Sequence, residues 1–538
     1  MNIVDCIVVG SGCSGAMAAQ TLVEAGTEVT MLDVGNENPE YNTLVPKKDF
    51  QSLRTEHTDQ HRYFIGDQAE GVVWGDIGKG AQLTPARQHM VAMVDKYLPL
   101  SSKTFSPVES LGYGGLGIGW GLQCWEFSPR ELEKAGMDVE LMTNAYETVA
   151  SRIGVSASRD DAAAYTLGAL KNYQPSPTID RNHKLIDKKY RAHKKRLHEQ
   201  GFLLGRTPLA LLTRDHDGRK KYAYRDMDFY TDNDHSAWRP WMTVNKLKKY
   251  KNFSYKNGQL VTRFEEKDKY VAVHCLDVTT NKPTVFYCRK LILGTSAFGS
   301  ARVVLRSFNK LDTALPLLCN PYTYIPCLQP TMVGKGVEPK KMGFTQMTLC
   351  LDEARQNMGA SIASLYSYQS LMLFRIIRQA PFDFIDARTI MRYLMSGFVI
   401  MGVHHPDTRS ERKYLKLIKD EHSPTGDKLK VAYRLDESEL AENQRRERKF
   451  IRAMHSMGTH ALSRVNPGYG SSIHYAGTLP FSQKDVPFTL SPNGRLHGTK
   501  NVYVADSAGF NYLPAKGVTF SLLANAHLTA ERVLKDEQ

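Results

Sequence analysis

The first apolar run of the chain, Cys6 to Val9, is four residues long and ends on Gly10-Ser11-Gly12-Cys13-Ser14-Gly15; a second run, Val29 to Leu32, ends on Asp33. Between them "AMAAQTLVEAG" has helical character, so the stretch reads as strand, tight turn, helix, strand. At the other end "PAKGVTF" (Pro514 to Phe520) leads into "TFSLLANAHLTAERVL", a helix whose entry carries Lys516 and Gly517. The uncharged run Leu394 to Val403 is ten residues, short of the roughly 20 that cross a bilayer, and reads as a buried strand or helix. "KKYRAHKKRLHEQG", Lys188 to Gly201, has few apolar positions and reads first as a solvated helix and second as a contact for an anionic partner.

The glycine turn gives these elements a chemistry. Gly10, Gly12 and Gly15 fit GxGxxG. Gly10 permits the turn, Gly12 lets backbone approach a pyrophosphate, and Gly15 lets helix and strand pack closely. The helix start at Cys13 and Ser14 offers N–H groups to phosphates. Asp33, 18 positions after Gly15, would accept hydrogen bonds from a ribose. The expectation is a dinucleotide site, with NAD and FAD not separated by this unit alone.

Composition narrows the class. At 538 residues with 42% hydrophobic the chain exceeds one core and is globular. The eight cysteines show no CxxC and no metal-ligand spacing, which reads as reduced thiols in a cytoplasmic protein with no bound metal. "MNIVDCIVVGSG" has neither a basic n-region nor an apolar segment of signal length. The net charge of +14 comes without a nucleic-acid motif, so no nucleic-acid partner is expected. "SLMLFRIIRQAPFDFIDARTIMRYLMSGFVIMGV", Ser370 to Val403, carries Arg375, Arg378, Arg388 and Arg392 among apolar residues. Core helices are the first reading; the lining of a hydrophobic channel or peripheral contact with a membrane surface is the second. "SAWRPWMT", Ser236 to Thr243, reads as packing before sugar stacking.

Three further segments, "ESLGYGGLGIGWGLQCWEFSPREL" (Glu109 to Leu132), "CRKLILGTSAFGSARVVLRSF" (Cys288 to Phe308) and Ser471 to Ala526, resemble the glucose-methanol-choline (GMC) family of FAD-dependent oxidoreductases. The resemblance implies an α/β chain, α+β overall. A Rossmann-like FAD-binding domain would be assembled from about 1–50, 100–135, 245–315 and 465–538, and a discontinuous mixed-sheet substrate domain from 135–245 and 315–465. It implies FAD held by the glycine turn and by Gly114, Gly115, Trp120 and Gly121 beside the isoalloxazine. Val261 would meet the adenine, Asp506 and Ser507 the pyrophosphate, and Val518 and Thr519 at the last helix the flavin edge.

By the same resemblance His474, in "IHYAGTLPF", is the base for an alcohol hydroxyl, and flavin N5 takes the hydride. The family's second catalytic position, His or Asn, falls on Gly517, so Lys516 is either a solvated neighbour or a cation beside the flavin. The substrate implied is a sugar, polyol or other alcohol, with oxygen, a quinone or a carrier protein as electron acceptor. The alternatives are a photoenzyme or lyase on the same fold, or a flavin-stabilised binding protein. His404 and His405 are adjacent, so on a strand they point to opposite faces.

Overall fold

The computed structural model describes residues 2–37, 85–224, 234–336, 342–367 and 383–536, with residue 338 and parts of 44–67. Arg375 and Arg378 lie outside the described residues.

Two sheets organise the chain. The first has the order Phe253–Lys256, Val29–Leu32, Ile3–Val9, Lys282–Leu293, Val271–Asp277, Gln259–Glu266, and Val502–Val504 joins it beside Lys282–Leu293. The long strand Lys282–Leu293 has two halves. Its first half alternates between exposed and half-buried positions and runs antiparallel to Val271–Asp277; its last residues are buried and lie parallel to Ile3–Val9 and Val502–Val504. That contrast follows from cover: a parallel strand flanked by helices reads as continuous apolar sequence, and a one-sided antiparallel strand alternates. Helix Cys13–Glu24 returns the chain from Ile3–Val9 to Val29–Leu32, as the glycine turn predicts.

The second sheet is antiparallel between neighbours, in the order His460–Ala461, Tyr322–Leu328, Phe398–His404, Ser361–Ser367, Met347–Leu351, Phe202–Arg206. One face carries Ile325, Leu349, Leu365, Met401 and Val403, packed with Ile186 and Leu197 of helix Arg181–Glu199 and with Phe450 and Met454 of helix Glu437–Ser456. The basic run from Lys188 is the exposed side of the first of these helices. The apolar run Leu394 to Val403 supplies the strand Phe398–His404, every residue of which is buried. Among the described residues no helix is long and apolar enough to cross a membrane.

One helix just past the boundary expected at 135 packs on the last helix. Helix Val139–Ile153 lies against the last helix, Thr519–Lys535, where Tyr146 stacks on Phe520 at 5.0 Å. Its buried stripe of Met142, Tyr146, Val149 and Ile153 is continuous with the core of the first sheet.

Candidate active site

A cavity of about 360 Å³ lies where the two sheets meet. From the first half it is lined by Gly10, Gly12, Cys13, Ser14, Asp33, Val261, Asp506, Ser507, Gly517, Val518 and Thr519, and from the second by Tyr322, Ser364, Tyr366 and His404. His474, Gly115, Trp120, Gly121 and Trp125 complete the wall. Such a volume is in the range of small-molecule sites.

The glycines make the near wall out of backbone. A Cβ on Gly15 would stand 1.8 Å from the Gly10 carbonyl oxygen, and one on Gly115 would stand 3.1 Å from the Gly12 Cα. Only glycine permits these approaches. Gly114 makes the turn at φ +106 and Gly117 packs on the Pro240 ring, so both serve the loop's path. Trp120 donates its indole N–H to the Trp238 carbonyl at 3.1 Å, and Arg239 donates to the Trp120 carbonyl at 2.7 Å, so the "SAWRPWMT" segment packs behind this loop.

Helix ends give an independent sign of a ligand. The helices starting at Pro129, Val139, Arg181, Phe384 and Glu437 are each capped by a side chain, from Ser128, Asp138, Asp180, Asp383 and Asp436. The helices starting at Cys13, Ser296 and Thr519 have no side-chain cap and no acidic residue in the first turn, and all three begin on the cavity wall. Uncapped N-terminal N–H groups facing one space suit an anionic partner.

Two carboxylates also face it. Asp33 accepts from the Ser11 hydroxyl and, at 3.0 Å, from Tyr255; burial pushes its pKa up to about 6, with the Ser11 bond opposing. Asp506 accepts from Ser300 at 2.6 Å and from the Ala508 N–H at 2.9 Å, and burial likewise pushes it up to about 6. Ser507 donates to the Tyr475 carbonyl at 2.6 Å, which fixes the turn beyond Asp506.

His474 is held more tightly than its motif suggests. The two-residue strand Tyr475–Ala476 pairs with Leu318–Cys319, which brings Asn320 beside the imidazole. The Asn320 Nδ2 donates to the His405 and Pro514 carbonyls, each at 2.8 Å. Carbonyls only accept, so the amide orientation is fixed and its Oδ1 faces His474 Nδ1 at 3.1 Å. Nδ1 therefore carries the proton, and Nε2 presents a lone pair. Burial lowers the His474 pKa to about 4, so the ring is neutral at neutral pH. Ile473, immediately before it, sits at φ +59, a costly conformation for a β-branched residue that the surrounding packing holds in place.

Lys516 is neither solvated nor in the cavity. It is 1% exposed, and its Nζ lies 2.7 Å from Glu131, which is equally buried. Glu131 also accepts from the Ser128 N–H in the capping box of helix Pro129–Ala135. The Lys516 side chain thus ties the turn before the last helix to another helix start. Gly517 does line the cavity: a Cβ there would stand 3.7 Å from His474 Nε2 and 3.7 Å from the Trp125 ring.

Sequence reasoning missed Asn320, Trp125 and the second-sheet residues. For His404 and His405 the strand rule was available and holds. His404 faces the cavity, while His405 bonds the Ser361 hydroxyl at 2.8 Å and approaches Glu447 on the other face. Asn320 carries no local signal, because its role depends on three segments meeting.

No protein-family model matches the chain, and no curated protein matches it. Among solved structures it is similar to the crystal structure of pyridoxine 4-oxidase from Mesorbium loti, with a TM-score of 0.58 and 13% identity over 99% of this chain and 99% of that one. The likeness is one of fold: the chain shares the mixed α/β architecture, with several mixed sheets, of that structure.

Proposed function

We propose that the protein is an FAD-dependent oxidoreductase that oxidises an alcohol carbon of a small polar substrate such as a sugar or polyol. The observation that carries this reading is His474 Nε2, a neutral base whose tautomer Asn320 fixes, opening beside Gly517 at the start of an uncapped helix.

The residues present fit FAD. The backbone wall of Gly10, Gly12 and Gly115 leaves a flat approach, with Gly114, expected beside the ring, turning the loop behind it, and the N-termini at Cys13 and Thr519 offer donors to phosphate and to an anionic ring edge. Asp33 and Val261 would hold the adenosine end, and Asp506 and Ser507 the middle. Bound FAD would supply the acceptor for the carbinol hydride. The chain's own part is to take the hydroxyl proton: it passes from the substrate oxygen to His474 Nε2, and Nδ1–H stays on Asn320 throughout.

Anaerobic mixing with a panel of alcohols and sugars tests the reading. Bleaching of the flavin absorbance by at least one member is the expected result, and His474→Ala should slow that bleaching by about 10²-fold or more. A wild-type flavin that no alcohol reduces would favour a photoenzyme, a lyase or a binding protein instead.

A further inference from the structure

The reading above uses one imidazole, and the cavity holds two. Strand Phe398–His404 ends by placing the His404 ring 5.3 Å from that of His474, with the planes 27° apart, and the Tyr322 ring lies 4.5 Å from His404. His404 is buried, its Nδ1 is enclosed without a hydrogen-bond partner, and Nε2 is the nitrogen left to a ligand in the cavity. Two more enclosed polar atoms share this wall without partners, Ser364 Oγ on the neighbouring strand and Trp125 Nε1 across from it. Ser364 pairs with Gly402, two residues before His404 and on the same face, so the two side chains flank one space.

Buried polar atoms are rarely left unpaired, because each costs on the order of 1–3 kcal/mol. Here two of them, Ser364 Oγ and Trp125 Nε1, share the cavity wall with His404 and the protein supplies no partner for either. The space is bounded on its other side by Gly517, where a Cβ would stand 3.7 Å from His474 Nε2, at ordinary contact distance.

We propose that His404 is a second catalytic residue, donating a hydrogen bond from Nε2 to the reacting oxygen of the alcohol while His474 Nε2 takes that oxygen's proton. This rests on the alcohol-oxidising reading. The charges balance: the proton leaves the substrate oxygen for His474, and the oxygen's growing negative charge is met by a neutral donor. The groups facing His404 are the His474 ring, His405, Tyr322 and the Gly402 carbonyl. Burial, with His474 and His405 adding to it, holds the His404 pKa well below its usual value, so His404 stays a neutral imidazole while His474 takes the substrate's proton. The substrate-side sheet would thereby provide the donor that the turn at Gly517 lacks.

The test uses the flavin-loaded full chain and the panel alcohol that reduces it fastest. His404→Gln keeps an amide donor and should hold the reduction rate constant within about 10-fold. His404→Met and His404→Leu should each lower it by about 10²-fold, so that folding of either one suffices. A second readout is independent of turnover: calorimetric binding of the matching tertiary alcohol, which has no carbinol hydrogen to lose. It should weaken roughly 10-fold in the apolar variants and stay near wild type in His404→Gln. If no alcohol reduces the wild type, the functional reading fails. If an alcohol does, and the apolar variants reduce as fast and bind the tertiary alcohol as tightly, His404 has no such role.

Discussion

At the residue scale, a side chain's chemistry here is set by its partner more than by its type. His474 is an ordinary imidazole until Asn320 holds Nδ1–H and burial keeps it neutral. Activity should therefore persist through mildly acid pH, with its acid limb near pH 4, where His474 takes a proton, and not near the ordinary histidine value; a pH profile of flavin reduction checks this. Stability behaves differently. His474 and His404 have lowered pKa values in the folded chain, so below about pH 6.5 the unfolded chain binds protons first, and their contribution to stability falls as pH drops toward 4. Buried Asp33 and Asp506, raised to about 6, act in the opposite direction over the same range, so the histidine share is read by difference: between pH 8 and pH 5 the melting temperature of wild type should fall more than that of His474→Gln. Lys516 makes the same point from the other side. With Glu131 left buried and uncompensated, Lys516→Met should cost about 3–5 kcal/mol of stability by denaturant titration, while the protein that does fold reduces at the wild-type rate. Lys516 is legible from its neighbours only as a charge in a turn; the carboxylate that explains it is on another helix.

At the element scale, the glycines divide into those that join elements and those that open space. Gly15→Ala would drive a Cβ to 1.8 Å from the Gly10 carbonyl, with only backbone to yield, and should abolish flavin loading. Gly517→Ala meets nothing closer than 3.7 Å and should fold and load flavin like wild type. Flavin content of the purified variants, by absorbance after denaturation, distinguishes the two. The first unit was readable because strand, turn and helix are specified within about thirty consecutive residues. The second sheet was not. Its strands are drawn from Phe202–Arg206 through to His460–Ala461, and although the alternation separating His404 from His405 was visible, nothing local told which face would meet a cavity.

At the scale of the whole molecule, the site is the contact between two sheets, so anything bound there should act on both. Loading with FAD at 100 times its Kd adds about 2.7 kcal/mol of stability. Stripping the flavin should therefore lower the melting temperature by a few degrees, and re-addition should restore it. The packing of helices from distant segments belongs to this scale as well. Helix Val139–Ile153 lies against the last helix because its apolar stripe fits there, a fit that neither stripe announces alone.

Read alone, the chain specified the glycine turn with its strand and helix, the acid at Asp33, the two opposed histidines and the motif around His474. Each depends on backbone conformations and periodicities set by near neighbours. The partner of His474 stands 154 positions away, that of Lys516 stands 385 away, and His404 reaches its ring contact from the other sheet. Those pairings follow from how whole elements pack, so a local motif and the resemblance it carries singled out His474 as the candidate base, whereas its tautomer, its neutrality and the second imidazole beside it came from folding.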